Sequence, residues 1–248
     1  MVNTVPFLSP HPTHVMNVKT HCGNCNLRDL CLPIGLTEAE LDRLDQIVKH
    51  RRRITRDSAL YRMNDPFVNL YAIRVGHFKT YQVNANGAHH ISGFQMTGEL
   101  LGMEAISSYR HQCNAVALED SEVCEVPFSD LENLLKDVPI MLHYFHRMMS
   151  HEIAQDHNAM LQLGNLRAEQ RFGAFLLNLS TRYKNRGYSA TNFQLRMSRE
   201  EIANYLGLTN ETISRLLSHF KKMGWLKVNN REITLLDVPA LLMLVEGK

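Results

Sequence analysis

The sequence predicts an α+β chain: a small antiparallel β-roll, then one long helix, then a winged helix-turn-helix. Three observations carry this prediction. Between about Ile54 and Phe128, short β-branched and aromatic runs such as NLYAIRVG, FKTYQV and EVCEVPF are separated by the turn signals NANG and MTGE. After Pro139 the apolar residues take up helical spacing as far as roughly Gly164. Near the end, two capped helical segments meet at Gly207 and lead into LKVNNREITLL.

The first 21 residues are rich in Pro and His and show no periodicity, whereas TEAELDRLDQIVKHRRR reads as a short amphipathic helix capped by Thr37, with Glu40 three residues on. The organisation expected is an arm over 1–32, the roll over 33–138, the long helix over 139–164 and the terminal domain over 165–248. A chain of 248 residues with 44% hydrophobic content can bury the cores this needs. The N-terminal stretch lacks the basic start and apolar centre of a signal peptide, and no uncharged apolar run reaches 18 residues. A soluble, cytoplasmic protein with no membrane partner is therefore expected.

Five cysteines, an odd number in a reducing compartment, argue against a disulfide framework and for ligation or redox chemistry. THCGNCNLRDLC places Cys22, Cys25 and Cys31 at C-x2-C-x5-C spacing. Three thiolates do not complete an iron–sulfur site, so a fourth must come from Cys113 or Cys124. Four cysteines would also suit structural zinc. The histidines, among them His11, His14, His21, His89 and His90, carry no ligand pattern.

The terminal domain carries the most specific signal. Ser198 with Glu201 makes a capping box, Gly207 breaks the helix, and Thr209 caps the next one. On that second helix Ile213, Leu216, Leu217 and Phe220 share one side, while Glu211, Ser214, Arg215 and Ser218 line the other. A carboxylate can accept from the cytosine amine, and a guanidinium can grip guanine through two hydrogen bonds. Lys221, Lys222 and Lys227 would reach phosphates, and a hairpin wing is expected to turn at Asn229 and Asn230. The net charge of +2 is too small to attract DNA on its own, so this local face has to do it.

Along the long helix, Leu142, His146, Met149, Ile153, Asp156, Met160 and Leu163 recur in steps of four and three, the spacing of a two-stranded seam. Asp156 breaks the apolar pattern. In a parallel homodimer it would face its own copy, and two like charges there oppose pairing.

These residues resemble those of a known family. CGNCNLRDLC, LYAIRVGHFKTY, GELLGMEAI, VCEVPF and NYLGLTNETISRLL are similar to the corresponding motifs of the FNR regulators (fumarate and nitrate reductase regulation), oxygen-responsive members of the cyclic-AMP receptor protein superfamily, over nearly the whole chain. The resemblance implies a cyclic-nucleotide-binding-like roll. It implies a 4Fe-4S cluster on Cys22, Cys25, Cys31 and Cys124, with Cys113 a buried small hydrophobe. It implies dimerisation through Met149, Ile153, Asp156 and Met160 while the cluster is intact, with oxygen converting the cluster to 2Fe-2S and releasing monomers. It implies contacts to double-stranded DNA by Thr209, Glu211, Thr212, Ser214, Arg215 and Lys222 at TTGAT-type palindromes, and RNA polymerase as a partner.

Two other readings compete. Cyclic-nucleotide pockets of the superfamily pair a Gly-Glu-Leu turn with a later Arg-Ser. Here Gly98, Glu99 and Leu100 are present, but the Arg-Ser positions fall on Gln112 and Cys113, leaving a phosphodiester without a cation, so no cyclic nucleotide is expected. Arg110 could substitute only if the strand register slipped. An iron–sulfur electron carrier would need no DNA-reading helix. The expectation is a transcription regulator, and not an enzyme.

Overall fold

The computed structural model describes residues 22, 25, 27, 31–33, 35–48, 50–84 and 86–247. Among the described residues the first full element is α1 (Glu38–Ile47), where Thr37 and Glu40 close the expected capping box. The roll follows as β1 (His50–Ile54), β2 (Ala59–Tyr61), β3 (Asn69–Val75), β4 (His77–Val83), β5 (His89–Met96), β6 (Leu100–Leu101), β7 (Asn114–Ala117) and β8 (Ser121–Pro127). Two four-stranded sheets, in the orders β1-β8-β3-β6 and β2-β7-β4-β5, enclose a core that includes Ile73, Phe78, Ala115 and Val123. β3 is covered on both faces: Leu70 packs in the core shared with the helices and Tyr71 and Ile73 in the roll core, while Val75 is exposed at the end of the strand.

One element differs from the sequence reading in kind. His50, Arg51, Arg52 and Arg53 do not continue the helix of Thr37; they form β1, antiparallel to β8, with Arg51 opposite Cys124 and Arg53 opposite Glu122. A run of three arginines obscures strand alternation, yet Glu122 and Glu125 on β8 give the guanidiniums counter-charges.

After the roll come α2 (Phe128–Asp137), which periodicity alone left unassigned, and α3 (Pro139–Asn165), opened by Pro139 in its first turn. Met141 and Phe145 bury one side of α3 in a core shared with α1, α2 and the roll. The terminal domain comprises α4 (Ala168–Lys184), β9 (Asn192–Gln194), α5 (Arg199–Leu206), α6 (Asn210–Lys222), β10 (Leu226–Asn229), β11 (Glu232–Leu235) and α7 (Val238–Glu246). Its core gathers Phe172, Leu176, Ile202, Ile213, Phe220 and Ile233, and it is continuous with Ile91, Phe94 and Met96 of β5. Each such side chain contributes roughly 1.5–3 kcal/mol on burial.

The wing turns one residue later than expected. Asn229 pairs with Glu232, so the loop is Asn230 and Arg231, with Asn230 at φ 56°, a left-handed conformation asparagine tolerates. β9 adds a third strand to this sheet in the order β10-β11-β9. No helix among the described residues is long and apolar enough to cross a membrane.

Candidate metal centre and nucleic-acid interface

Cys22, Cys25 and Cys31 meet Cys124 of β8 around one cavity of about 100 Å³, closed by apolar side chains from the roll and by Met141, Tyr144, Phe145 and Met148 of α3. All four are free thiols; the Cys25 N–H donates to the Cys22 carbonyl at 3.2 Å, and the Cys31 N–H to the Leu27 carbonyl at 2.9 Å. The Cys22 N–H donates to the Asp45 carboxylate, which ties this loop to α1.

The cavity disfavours bare thiolates. Burial pushes the Cys31 thiol up to about 12, with Cys25 and Cys124 adding to the shift. Cys22 is raised by burial and by Asp45, and Cys124 by burial, with Arg51 and Arg74 pulling the other way. Thiols of this kind become ligands when a metal replaces the proton, and a thiolate-only donor set suits iron–sulfur or zinc chemistry. Among the described residues no three His, Cys, Asp or Glu side chains are grouped closely enough to hold a metal ion. Cys113 lies elsewhere, 6% exposed in the roll core, its thiol pushed up to about 12 by burial and Glu104.

A second cavity of about 370 Å³ lies between the roll and α3, lined by Thr80, Gln82, Gln95 and Glu104 with Glu152 and Asp156 of α3. Gln112 and Cys113 also face it, and no Arg or Lys is among its lining residues. Arg110 points elsewhere, its Nη1 donating to the Asn64 carbonyl at 2.8 Å. Glu99 of the Gly-Glu-Leu turn is held by Arg182 of α4 at 2.6 Å and by Arg186, just past the end of that helix, at 2.5 Å.

The helix-turn-helix has the caps its sequence predicts. Ser198 and Glu201 close the box on α5, Gly207 ends it at φ 61°, and the Thr209 hydroxyl accepts from the Thr212 N–H at 3.2 Å. Ile213, Leu216, Leu217 and Phe220 are buried, so α6 turns its other face outward. Thr209, Glu211, Arg215 and Lys222 are exposed, while Thr212 and Ser214 are half-buried beside them. Glu211, held below the usual carboxylate range by backbone and Thr209 hydrogen bonds, stays an acceptor. Arg215 reaches back to the Thr212 hydroxyl at 3.4 Å.

On α3 the seam positions Leu142, Ile153, Met160 and Leu163 are 37%, 57%, 71% and 38% exposed, an apolar stripe that flanks the face buried through Met141 and Phe145. Met149 is half-buried and Asp156 exposed on the same stripe. Sequence reasoning missed the side chains that join the roll to the terminal domain. Lys79 pairs with Glu201 at 2.6 Å, and Asn204 bonds the backbone of Ile91 and His89 at 2.7 and 2.8 Å. These partners lie more than 100 residues apart, and no local signal announces them.

A sensor-type roll, a long helix and an outward-facing recognition helix define a DNA-binding transcription regulator. The chain matches the Crp-like helix-turn-helix domain over residues 170–244 and the cyclic nucleotide-binding domain over 51–138. It is 44% identical to the transcriptional regulatory protein btr of Bordetella pertussis over 91% of this chain and 93% of that one. It is 43% identical to the fumarate and nitrate reduction regulatory protein of Escherichia coli over 90% of each. The structure of FixK2 from Bradyrhizobium japonicum superposes with a TM-score of 0.72 at 30% identity, covering 78% of this chain and 96% of that one. The chain belongs to the FNR family of anaerobic transcription regulators, within the cyclic-AMP receptor protein superfamily; it is not an enzyme.

Proposed function

We propose that this regulator senses oxygen through a 4Fe-4S cluster held by Cys22, Cys25, Cys31 and Cys124. The observation that carries the reading is the shared cavity: cysteines from the arm and from β8 line it together, and α3 forms its far wall. The cluster, when bound, supplies oxygen-labile iron–sulfur bonds.

The remaining steps belong to the chain's own residues. Tyr144, Phe145 and Met148 lie on the same helix as the seam residues Met149, Ile153 and Met160 and N-terminal to them, so a change in the cavity acts on the helix that pairs two copies. Asp156 keeps that pairing weak unless the cavity side favours it. A homodimer would present two copies of α6 to successive major grooves of a TTGAT-type palindrome, with Glu211, Ser214 and Arg215 reading bases, and would recruit RNA polymerase in the cytoplasm. The absence of a cation from the roll cavity gives no support to a cyclic phosphodiester ligand. The experiment is the visible absorption of anaerobically purified protein before and after air, with sedimentation at each stage. Iron–sulfur absorption that fades in air as dimer becomes monomer is expected. Protein without iron, or a dimer indifferent to air, would overturn the reading.

A further inference from the structure

Cys124 sits among arginines. Arg51 on β1 is its direct partner in the antiparallel register, so the two side chains leave the same face of the sheet. On the other side Ala72 of β3 pairs with Cys124, and Arg74 lies two residues along, at the irregularity between Ile73 and Val75 where the register shifts. That bulge re-aims the Arg74 side chain, which lines the cysteine cavity.

Glu122 is the counter-ion these arginines share. Arg74 Nη1 is 2.8 Å from Glu122 Oε1, Arg51 Nε is 3.9 Å from the same oxygen, and Arg53 Nε is 3.7 Å from Oε2. One carboxylate therefore faces three guanidiniums, and positive charge is left over beside Cys124. The Nε–H groups of both Arg51 and Arg74 are buried and have no hydrogen-bond partner among the described residues. Orphan donors on buried cations are costly unless something anionic meets them.

We propose that Arg51 and Arg74 form a cationic seat for the fourth thiolate, balancing the negative charge of a thiolate-bound group at Cys124. The inference rests on the reading of the four cysteines as cluster ligands. Arg51 and Arg74 are positioning residues: they bind no metal, and they act through the sulfur of Cys124. Charges and hydrogen bonds of this outer kind set both metal affinity and reduction potential, typically by 10–100-fold in affinity. Glu122 holds Arg74 end-on through Nη1 and so leaves its Nε–H free for the cavity.

The test uses full-length, anaerobically loaded protein carrying Arg51→Gln, Arg74→Gln, Arg51→Lys or Arg74→Lys. Two quantities are read: the reduced fraction of the cluster when poised with dithionite against a redox dye, and the rate of iron loss to a chelator. Removing positive charge disfavours the more negative, reduced state. Each Gln variant should lower the reduced-to-oxidised ratio at fixed potential by about tenfold and speed iron loss by a similar factor. The Lys variants keep the charge and should recover most of the ratio. Arg51→Gln leaves the Arg74–Glu122 pair in place, so it tests the seat with least risk to folding. Unchanged ratios in Gln variants of a protein that does hold a cluster would overturn this inference and leave the functional reading standing. Equal losses in Lys and Gln variants would assign the effect to packing and also overturn it. A wild type without iron–sulfur absorption would remove both.

Discussion

The Lys79 ammonium on β4 lies 2.6 Å from Oε1 of Glu201, while Oε2 of the same carboxylate accepts the Ser198 N–H at 2.6 Å. One side chain thus closes the first turn of α5 and ties the helix-turn-helix to the roll. Arg182 and Arg186 on Glu99, and Asn204 on the backbone of β5, reinforce the junction. The roll and the helix-turn-helix that carries α6 are therefore joined by ion pairs and hydrogen bonds.

Glu201→Gln keeps a capping acceptor but loses the charge pair, and with both partners about one-fifth exposed the cost expected is about 1 kcal/mol at neutral pH. Burial pushes this carboxyl up, but hydrogen bonds from Lys79 and Ser198 outweigh it and hold the group below its ordinary value. A lowered folded-state pKa stabilises above the unfolded value of about 4.3, and that contribution is lost as the pH falls through the folded value. Urea unfolding between pH 7 and pH 3 should accordingly show a smaller acid loss in the variant. An identical pH profile would remove the pair from the account.

Replacement of Cys22, Cys25, Cys31 or Cys124 by Ser should each abolish anaerobic iron retention. Cys113→Ser should retain iron in full, because its thiol lies in the roll core and lines the other cavity. Iron analysis decides the set: full occupancy in Cys124→Ser, or none in Cys113→Ser, would mean the fourth ligand is wrongly assigned.

Asp156 follows Glu152 by one helical turn, a like-charge pair that opposes helix and dimer alike. Burial, Asp156 and Glu99 together push the Glu152 carboxyl up to about 7. Its protonated form is the one the fold favours, so stability falls as the pH rises toward 7, and Glu152→Gln should flatten that fall by on the order of 1 kcal/mol. Asp156→Ala should strengthen the seam enough to give dimers and DNA binding in air. Sedimentation of that variant as an aerobic monomer, at concentrations where the anaerobic wild type is dimeric, would take Asp156 out of the interface.

Arg215→Ala should remove a two-hydrogen-bond base contact worth about 1–3 kcal/mol per half-site and relax preference at the G·C position. Lys222→Ala should weaken all sequences alike, because a phosphate contact carries no base information. Selection from randomised half-sites separates the two. Retention of the wild-type G·C preference by Arg215→Ala would show that α6 does not read bases through this residue.

The terminal domain was legible because its signals are local: caps at Ser198 and Thr209, the break at Gly207, and an amphipathic α6 each depend on neighbours within a turn of helix. The same holds for the long helix and for the C-x2-C-x5-C run, whose close spacing marks out three cysteines as a set. Tertiary structure decided what depends on distant partners. Arg51–Arg53 read as a charged helix end until β8 supplies the ladder and the carboxylates that make them a strand. Lys79 and Glu201 acquire a meaning only when β4 and α5 are packed together. Which cysteine shares a cavity with the arm is likewise a property of strand register: residue chemistry alone left Cys113 and Cys124 open, the family resemblance of VCEVPF pointed to Cys124, and β8 brings Cys124 to the arm. Local order follows from short-range propensity, whereas a site built across the chain exists only once the core has fixed which faces meet.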